Sequence, residues 1–431
     1  MARITDKTQE NITKKSEKKN WLITANLVFS LFIICLPLEI SLFHLIGLTF
    51  VNFDILLVIY AFLYLFFLSV YLSKNFNNIK FKDLLKDPVI ILILVLLFWM
   101  LLSTIVTGSF NHIFVTYMSF FCVVVNFVLL DSKYKKLILD VFISVIAICC
   151  IMGFIDPKGS FMPGFLSTAY KFSLQFYNPN HIGYVVVLTE LLIVGLYLKD
   201  TNVYKKVFYA ITFVIIGFYI FLNGSFAPIT AIVLGLVIYF IYLWIARKKF
   251  PLDMLSIIFL FLLLSALVDS IPFLRSVRFT DYGYLVECVA VFDNIFNTNL
   301  LELILGESVK VPGADGWTRG ELIAKSFVYL GESFMFGKGC GFSNDFRPHN
   351  EILYLSLDFG VIAGLIYVTL LVLLIIRSFK QKTKLRTVLI ISIICYYFSG
   401  LFGNITTHSF IYLLMFVGVF MNRNNDHLDS K

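Results

Sequence analysis

Charged residues are scarce in this sequence. They make up 14% of the 431 residues, whereas an ordinary soluble domain has about 25%. Hydrophobic residues make up 59%, which is more than a soluble protein of this length can bury. This composition excludes a soluble enzyme, a disordered chain and a secreted disulfide scaffold. It favours a helical protein that crosses a membrane many times.

Metal-ligand patterns are also lacking. The seven cysteines and six histidines do not occur at the spacing of a metal site, so the sequence predicts no metal. Five of the cysteines lie in apolar stretches and are expected to act as small apolar residues. Cys288 and Cys340 fall in one long, more polar segment. A disulfide between them stays open, because sequence alone cannot test its geometry.

Twelve stretches are long and apolar enough to cross a bilayer as helices. The sequence therefore predicts an all-α polytopic membrane protein. Helices 1–9 would lie in residues 21–269 and helices 10–12 in residues 350–421. The stretches begin near Trp21, Phe53, Pro88, Ile113, Lys136, His181, Lys205, Phe226, Leu252, Asn350, Leu385 and Ile405.

Basic residues predict the orientation of these helices. If residues 1–20 and 422–431 are cytoplasmic tails and the helices alternate in direction, 26 of the 35 lysines and arginines fall on the cytoplasmic side. The positive-inside rule requires such a bias. The other nine fall in two outer loops, one near 156–180 and a large one at 270–349. The net charge of +8 is thus mostly a topology signal, and binding to nucleic acid explains it poorly.

The large outer loop is expected to form a small helical layer on the outer surface. Residues 319–330 have helical spacing, with Leu322, Ile323, Phe327 and Leu330 on one face. A glycine-rich run at 337–341 follows. It is loosely similar to a phosphate loop, but it lacks the preceding strand and the required spacing.

His349 is the main catalytic candidate because it directly precedes the tenth predicted span. The positive end of a helix favours a neutral imidazole that can act as a base. The same end suits an anionic group such as phosphate, and Arg347 adds a cation there. The alternative is an interfacial histidine that only begins the helix.

Two acidic residues fall within predicted spans. Glu190 lies near the middle of the sixth, and Asp358 lies about two turns into the tenth. Charged residues at membrane depth are functional candidates, and Asp358 is expected to face an outer cavity. The alternative for both is a structural carboxyl.

The region around His349 resembles a known family. His349-Asn350, nine residues and Gly360, followed by the run 361–364, resemble the signature of the O-antigen ligase and polymerase superfamily. In that family a His-Asn pair opens a span just after a large periplasmic loop. Twelve spans with both termini inside also match the family.

Two more elements agree with this resemblance. Arg319, upstream of Gly337 and Gly339, is similar to the family's loop arginine, and the run 178–180 is similar to its Asn-Pro-Asn element. The resemblance is best over residues 171 to about 373. The run 224–226 has no arginine where the family often has Ser-Arg, and Lys171 is the nearest cation before the Asn-Pro-Asn element. Lysine lacks the bidentate fork of arginine.

The resemblance implies an inverting, metal-independent glycosyltransferase in the bacterial inner membrane, with its active site on the periplasmic side and no cofactor. Its donor would be a glycan on undecaprenyl diphosphate, and a chain-length regulator would be a further partner. His349 would act as general base. Arg319, Arg347 and Lys171 would stabilise the diphosphate, and Asn350 would contact the substrate.

The acceptor stays open between two alternatives. A polymerase, which we favour, transfers the glycan to a sugar hydroxyl of another lipid-linked repeat. A ligase transfers it to lipid A-core in lipopolysaccharide biosynthesis. A lipid-linked glycan transporter is the alternative from another class. Glu190 and Asp358 support a transporter, whereas the lack of an internal repeat and of paired Gly/Pro-broken helices speaks against it.

Overall fold

A computed structural model describes most of the predicted helical part of the chain. The described residues are 24–40, 42–43, 48, 53–75, 88–130, 132–155, 167–168, 171–172, 179–223, 226–270, 319–343, 348, 350–380 and 386–400. Several predictions lie outside them: both tails, the twelfth span near Ile405, residues 271–318 of the large loop, Cys288, Arg347 and His349.

The described residues are almost entirely helical. A single hairpin of two-residue antiparallel strands, in which Thr168 pairs with Lys171, interrupts the helices. The elements are α1 (Thr24–Ile40), α2 (Phe53–Asn75), α3 (Pro88–Thr107), α4 (His112–Leu129), α5 (Ser132–Ile155), β1 (Ser167–Thr168), β2 (Lys171–Phe172), α6 (Pro179–Lys199), α7 (Val203–Asn223), α8 (Phe226–Arg247), α9 (Leu252–Ser270), α10 (Arg319–Glu332), α11 (Glu351–Phe359), α12 (Val361–Lys380) and α13 (Arg386–Gly400).

Length and composition indicate a membrane protein. Within the described residues, four helices are long and apolar enough to span a bilayer: Pro88–Thr107, Ile182–Lys199, Val203–Leu222 and Ala227–Arg247. Shorter apolar helices accompany them. Large apolar side chains point outward from the bundle, among them Phe62, Phe98 and Phe259. Such side chains suit contact with lipid better than contact with water.

Predicted and observed helix positions agree closely, with one correction. Each predicted start from Trp21 to Leu385 lies within four residues of an observed helix start. The tenth apolar stretch was expected to be one helix but is two, α11 and α12, separated at Gly360. The expectation that this stretch forms one continuous helix is therefore wrong.

The bundle is centred on α6. Of the residues in its apolar stretch, 83% are buried inside the protein, compared with 39% for α3 and 33% for α8. It contacts α7, α8 and α13. Glycines allow close approach here, since a Cβ at Gly195 would lie 2.6 Å from Val388 and one at Gly235 would lie 2.8 Å from Leu191. Small residues at such contacts are typical of membrane helices, whose association depends on close packing.

Polar side chains join α1, α2 and α4 inside the bundle. The Tyr64 hydroxyl donates to Asn26 Oδ1 at 3.0 Å, and Asn126 Nδ2 donates to Ser30 Oγ at 2.7 Å. All four residues are buried. Hydrogen bonds of this kind between helices are worth about 0.6 kcal/mol each in membrane proteins.

Ion pairs join the ends of α5, α6 and α7. Lys136 Nζ lies 3.2 Å from Asp200, and Lys205 Nζ lies 3.8 Å from Asp140. These lysines are among the basic residues that predict the cytoplasmic side. Because the side chains are partly exposed, the pairs add little stability, and their position at helix ends is the more informative feature.

The helix predicted at 319–330 is confirmed as α10, but its buried face was predicted only in part. Leu330 is buried as expected, whereas Phe327 is 42% exposed and Ser326 is fully buried. Ser326 Oγ donates to the Leu322 carbonyl, so its polar group is satisfied within the helix. α10 contacts α11, which brings this part of the large loop against the start of the tenth apolar stretch.

Candidate functional site

The break between α11 and α12 is the structural centre of the candidate site. Gly360 has φ 87° and ψ 164°, a backbone conformation that side chains with a Cβ rarely adopt. A Cβ at this position would lie 1.8 Å from the Met335 carbonyl oxygen. The chain therefore needs glycine here for two reasons, the backbone angle and the close approach of residues 335–336.

The segment after α10 supplies partners for the backbone groups that the break releases. We call residues 337–343 the glycine loop. The Lys338 amide donates to the Leu357 carbonyl at 2.6 Å, and the Gly339 amide donates to the Asp358 carbonyl at 3.2 Å. Trp99 Nε1 of α3 donates to the Phe359 carbonyl at 2.9 Å. Backbone groups that lack partners inside a membrane cost several kcal/mol each, so these bonds make the break tolerable.

The Asp358 side chain binds the glycine loop as well. Its Oδ2 accepts from the Gly341 amide at 3.0 Å and its Oδ1 accepts from the Ser343 amide at 2.8 Å. The side chain is fully buried. The expectation that Asp358 faces an outer cavity is therefore wrong: both carboxylate oxygens receive backbone amides, which is a structural role.

The turn between α3 and α4 holds the other side of the glycine loop. Ser109 Oγ accepts from the Cys340 amide at 2.8 Å. Asn111 Nδ2 donates to the Cys340 carbonyl at 2.6 Å. Ser103 Oγ donates to the Phe336 carbonyl at 2.6 Å, and the Phe336 ring stacks on Trp99 with centroids 5.4 Å apart. Three separate parts of the chain are thus joined at one place.

The amides of the glycine loop are all used within the protein. Besides the bonds above, the Gly337 amide donates to the Ser333 carbonyl and the Phe342 amide donates to the Gly339 carbonyl. A phosphate loop needs free amides that point at the ligand. The loose similarity of this run to a phosphate loop therefore has no functional meaning, and its glycines serve the turn geometry instead.

Cys340 is a free, buried thiol in this loop. Its Sγ lies 3.3 Å from Asn111 Oδ1. Burial and, next in size, the charge of Asp358 raise the pKa of Cys340 to about 12, so the thiol is unreactive at neutral pH. Cys288, the other member of the predicted pair, lies outside the described residues.

Asn350 begins α11 and is its N-terminal cap. Its Oδ1 accepts from the Leu353 amide at 3.1 Å, and its backbone is extended. Asparagine is among the best residues at this position. His349 directly precedes it in the sequence but, like Arg347, lies outside the described part of the chain.

The other predicted cations are described to different extents. Arg319 is the first residue of α10, and the Lys171 backbone lies in β2, which contacts α7. Lys338 pairs with Glu332 and lies over the Tyr329 ring. Lys338, which the sequence places among the outer cations, thus has a partner inside the protein.

Glu190 lies away from the glycine loop, between α6, α7 and α9. It is fully buried, and neither carboxyl oxygen has a hydrogen-bond partner among the described residues. A Cβ at Gly217 of α7 would lie 3.3 Å from Glu190 Oε1 and 3.1 Å from Leu264 of α9. The absence of a side chain at Gly217 makes room for the carboxyl. No described contact joins Glu190 to Asp358.

Sequence reasoning missed the residues that hold the glycine loop. Trp99, Ser103, Ser109 and Asn111 lie more than two hundred residues before the loop. The one available signal was the short Ser- and Asn-containing turn between two apolar stretches, which is typical of a helix cap. This signal did not indicate that the turn binds the glycine loop.

No protein-family model matches the chain, and no curated protein matches it.

The Asp358 carboxylate should control how often the glycine loop opens. Asp358→Asn replaces one acceptor oxygen by an NH2 group, which cannot accept from Gly341 or Ser343. Losing a hydrogen bond to a charged group costs about 1.5–3 kcal/mol, so alkylation of Cys340 by N-ethylmaleimide at pH 8 should become at least about tenfold faster. Peptide mass spectrometry measures the rate. Asp253→Asn, in the exposed pair with Arg247, is the control, and an unchanged rate in Asp358→Asn would contradict this role.

Gly360 should be far less replaceable than another glycine with a positive φ. Gly108 has φ 67°, and a Cβ there would meet nothing within 4 Å. Gly108→Ala therefore carries only the backbone cost of about 1–2 kcal/mol, whereas Gly360→Ala adds the collision with Met335. Thermal unfolding of the detergent-solubilised protein should show a clearly larger drop in melting temperature for Gly360→Ala. Equal drops in melting temperature would mean that the Met335 carbonyl does not restrict the residue at position 360.

Proposed function

We propose that this chain is a polysaccharide polymerase of the bacterial inner membrane. It transfers a glycan from undecaprenyl diphosphate to a sugar hydroxyl of another lipid-linked repeat on the periplasmic side. The four helices that are long and apolar enough to span a bilayer support a membrane location. The spacing of His349, Asn350 and Gly360 supports the family.

The main support for the proposal is the structure of the segment from Asn350 to Gly360. Asn350 is the N-terminal cap of α11, Gly360 is its C-terminal cap, and the nine residues between them are the whole of α11. Caps at both ends need these residue types. The motif therefore corresponds to a short helix held in place by the glycine loop, with His349 next to its N-terminal end in the sequence.

The N-terminal end of α11 suits the chemistry of glycan transfer. Helix N-termini favour anions through their free amides and dipole, and a diphosphate leaving group is an anion. The acceptor oxygen would attack C1 of the donor sugar from the face opposite the diphosphate, which inverts the configuration. His349 would take the hydroxyl proton, and undecaprenyl diphosphate would leave with the electron pair of the broken C1–O bond.

The outer cations would stabilise the charge on the leaving diphosphate. Arg319 opens α10, the helix that packs against α11, and Arg347 precedes His349 by two residues. Fixed cations near developing negative charge lower the barrier of such reactions. Lys171 would be a further cation, and Asn350 would contact the glycan or the diphosphate. The reaction needs no metal in this scheme.

A ligase with lipid A-core as acceptor would use the same residues. Nothing in α10, α11 or the glycine loop distinguishes one sugar hydroxyl from another. The two enzymes are therefore distinguished by experiment, from the product that accumulates when transfer fails.

A transporter of lipid-linked glycans is the candidate from another class, and two observations favour it. Transporters use discontinuous helices near their binding sites, and α11 and α12 are the two halves of one such helix. Glu190 is a buried carboxyl inside the bundle. Against a transporter, the amides and carbonyls at the Gly360 break already have partners in the glycine loop and Trp99, so they are not available to a substrate.

Replacement of the proposed base should abolish transfer. In the native host, His349→Ala should remove long surface glycan, because general-base catalysis contributes about 10²–10⁴-fold. Arg319→Ala should reduce it strongly, because the leaving diphosphate loses a stabilising cation. Gel analysis of the surface glycan measures this. Lipid A-core that bears one repeat would indicate a polymerase, and bare core would indicate a ligase.

Two matched variants serve as controls for these substitutions. Lys325→Ala removes an exposed cation from α10, the helix that Arg319 begins, and His427→Ala removes a histidine from the predicted cytoplasmic tail. Both should retain wild-type banding. Normal banding in His349→Ala at a normal protein level would exclude the catalytic role, and lipid-linked repeats left on the cytoplasmic face would favour the transporter.

A further inference from the structure

A buried carboxyl that the proposed reaction does not use lies at the centre of the bundle. Glu190 belongs to α6, the most buried of the four described helices that are long enough to span a bilayer, and its side chain is fully buried. Neither of its carboxyl oxygens has a hydrogen-bond partner among the described residues. Ionisable residues at membrane depth are costly and are therefore functional candidates.

The space around this carboxyl is formed by α6, α7 and α9. Glu190 Oε1 would lie 3.3 Å from a Cβ at Gly217 of α7. The same Cβ would lie 3.1 Å from Leu264 and 3.7 Å from Phe261, both of α9. The carboxyl thus faces bare backbone and apolar side chains. The hydroxyl of Thr189, the preceding residue, donates to a carbonyl of α6 itself.

The titratable side chains near Glu190 on the helices packed around α6 are thiols and phenols. The Cys150 thiol of α5 interacts with the Glu190 carboxyl, and Tyr219 of α7 interacts with Cys149 and Cys150. Cys395 of α13 packs between α6 and α8. Thiols and phenols of this kind carry no charge at neutral pH, so none of these groups is a counter-charge.

The described ion pairs of these helices lie at helix ends. They join α5 to α7, the end of α6 to α5, and α8 to α9, through Lys205–Asp140, Lys136–Asp200 and Arg247–Asp253. Tyr239 of α8 interacts with the last of these pairs. No described cation therefore acts on the carboxyl in the middle of α6.

Asp358 shows what a buried carboxylate requires in this bundle. Both of its oxygens accept backbone amides of the glycine loop. Glu190 has no such donors among the described residues. An isolated carboxylate in apolar surroundings is so costly that the group binds a proton instead. Glu190 is therefore a carboxylic acid as long as α6, α7 and α9 stay packed around it.

Stability alone does not explain a carboxyl at this position. A buried polar group without a partner destabilises a protein even when the group is neutral. Leucine would suit the surroundings that Leu264 and Phe261 provide better than glutamate does. What distinguishes glutamate from leucine here is the ability to bind and release a proton.

We propose that Glu190 is a proton-binding site and that its bound proton holds α6 packed against α7 and α9. Proton release breaks the O–H bond, leaves the electron pair on the carboxylate and passes H⁺ to water. The charge that remains needs water or hydrogen-bond donors, which the described residues around it do not supply. Proton release therefore weakens the contact between these helices. The site goes beyond the proposed function and does not depend on glycan transfer.

Thermal unfolding of the full-length protein in detergent between pH 5 and 9 tests the site. Glu190→Gln keeps the shape of the side chain and resembles the neutral acid at every pH. A glutamate in an unfolded chain loses its proton above about pH 4.3, whereas Glu190 keeps its proton in the packed bundle. The folded wild type thus binds one proton more than its unfolded chain, so rising pH favours unfolding, by up to about tenfold in the equilibrium constant for each pH unit. The melting temperature of Glu190→Gln should increasingly exceed that of the wild type as the pH rises.

Two further variants accompany this comparison. Glu332→Gln is the matched control, because the Glu332 side chain of α10 is 52% exposed and pairs with Lys338. Its difference in melting temperature from the wild type should be the same from pH 5 to 9. Glu190→Leu removes the proton site with an apolar side chain and should show the same pH trend as Glu190→Gln, which preserves the test if one of the two variants does not fold.

Infrared spectra at pH 7 measure the bound proton directly. The wild type and Glu332→Gln should share a carboxylic-acid band that Glu190→Gln and Glu190→Leu lack. Identical bands in all four proteins would overturn the proton site. A difference in melting temperature between Glu190→Gln and the wild type that stays constant with pH would overturn it as well. Because neither measurement uses a glycan, both outcomes are independent of whether the proposed transfer occurs.

Discussion

Backbone hydrogen bonding at the break between α11 and α12 is the constraint on which the candidate site depends. A helix that breaks within a bilayer leaves carbonyl and amide groups that water cannot reach, at a cost of several kcal/mol each. Here the amides of Lys338 and Gly339 and the indole of Trp99 bind the released carbonyls. The amide of Val361 donates a hydrogen bond to the Phe334 carbonyl at 2.9 Å. The break is therefore stable only while the glycine loop stays in place.

The same contacts make one rigid unit of three distant parts of the sequence. Asp358 binds two amides of the glycine loop, and the turn between α3 and α4 binds the loop from the other side through Ser109 and Asn111. Because Asn350 and Gly360 cap α11 at its two ends, fixing the break also fixes the N-terminal end of this short helix. A fixed helix N-terminus is the kind of support that a catalytic base and an anionic leaving group require.

The positions of the helices followed from the sequence, whereas the break did not. Long apolar runs can satisfy the hydrogen bonds of their backbone in a bilayer only as helices. The helix starts near Phe53, Pro88 and Leu252 could therefore be predicted. A single glycine in an apolar run costs a helix only about 1 kcal/mol, so Gly360 alone did not predict a break. The cause lies in residues 335–339, whose backbone approaches Gly360 from another part of the chain. The position of Asp358 was predicted wrongly for a similar reason, since the amides that bind its carboxylate belong to Gly341 and Ser343 of the glycine loop.

In the proposed reaction this protein alone forms a glycosidic bond, with inversion and without a metal. The most direct measurement uses the purified protein in proteoliposomes with an undecaprenyl-diphosphate-linked glycan, in the presence of EDTA. The expected products are a longer lipid-linked glycan and one undecaprenyl diphosphate for each bond formed. Nuclear magnetic resonance should show an anomeric configuration opposite to that of the donor. An unchanged glycan that has only moved to the other leaflet, or a bond with retained configuration, would contradict it.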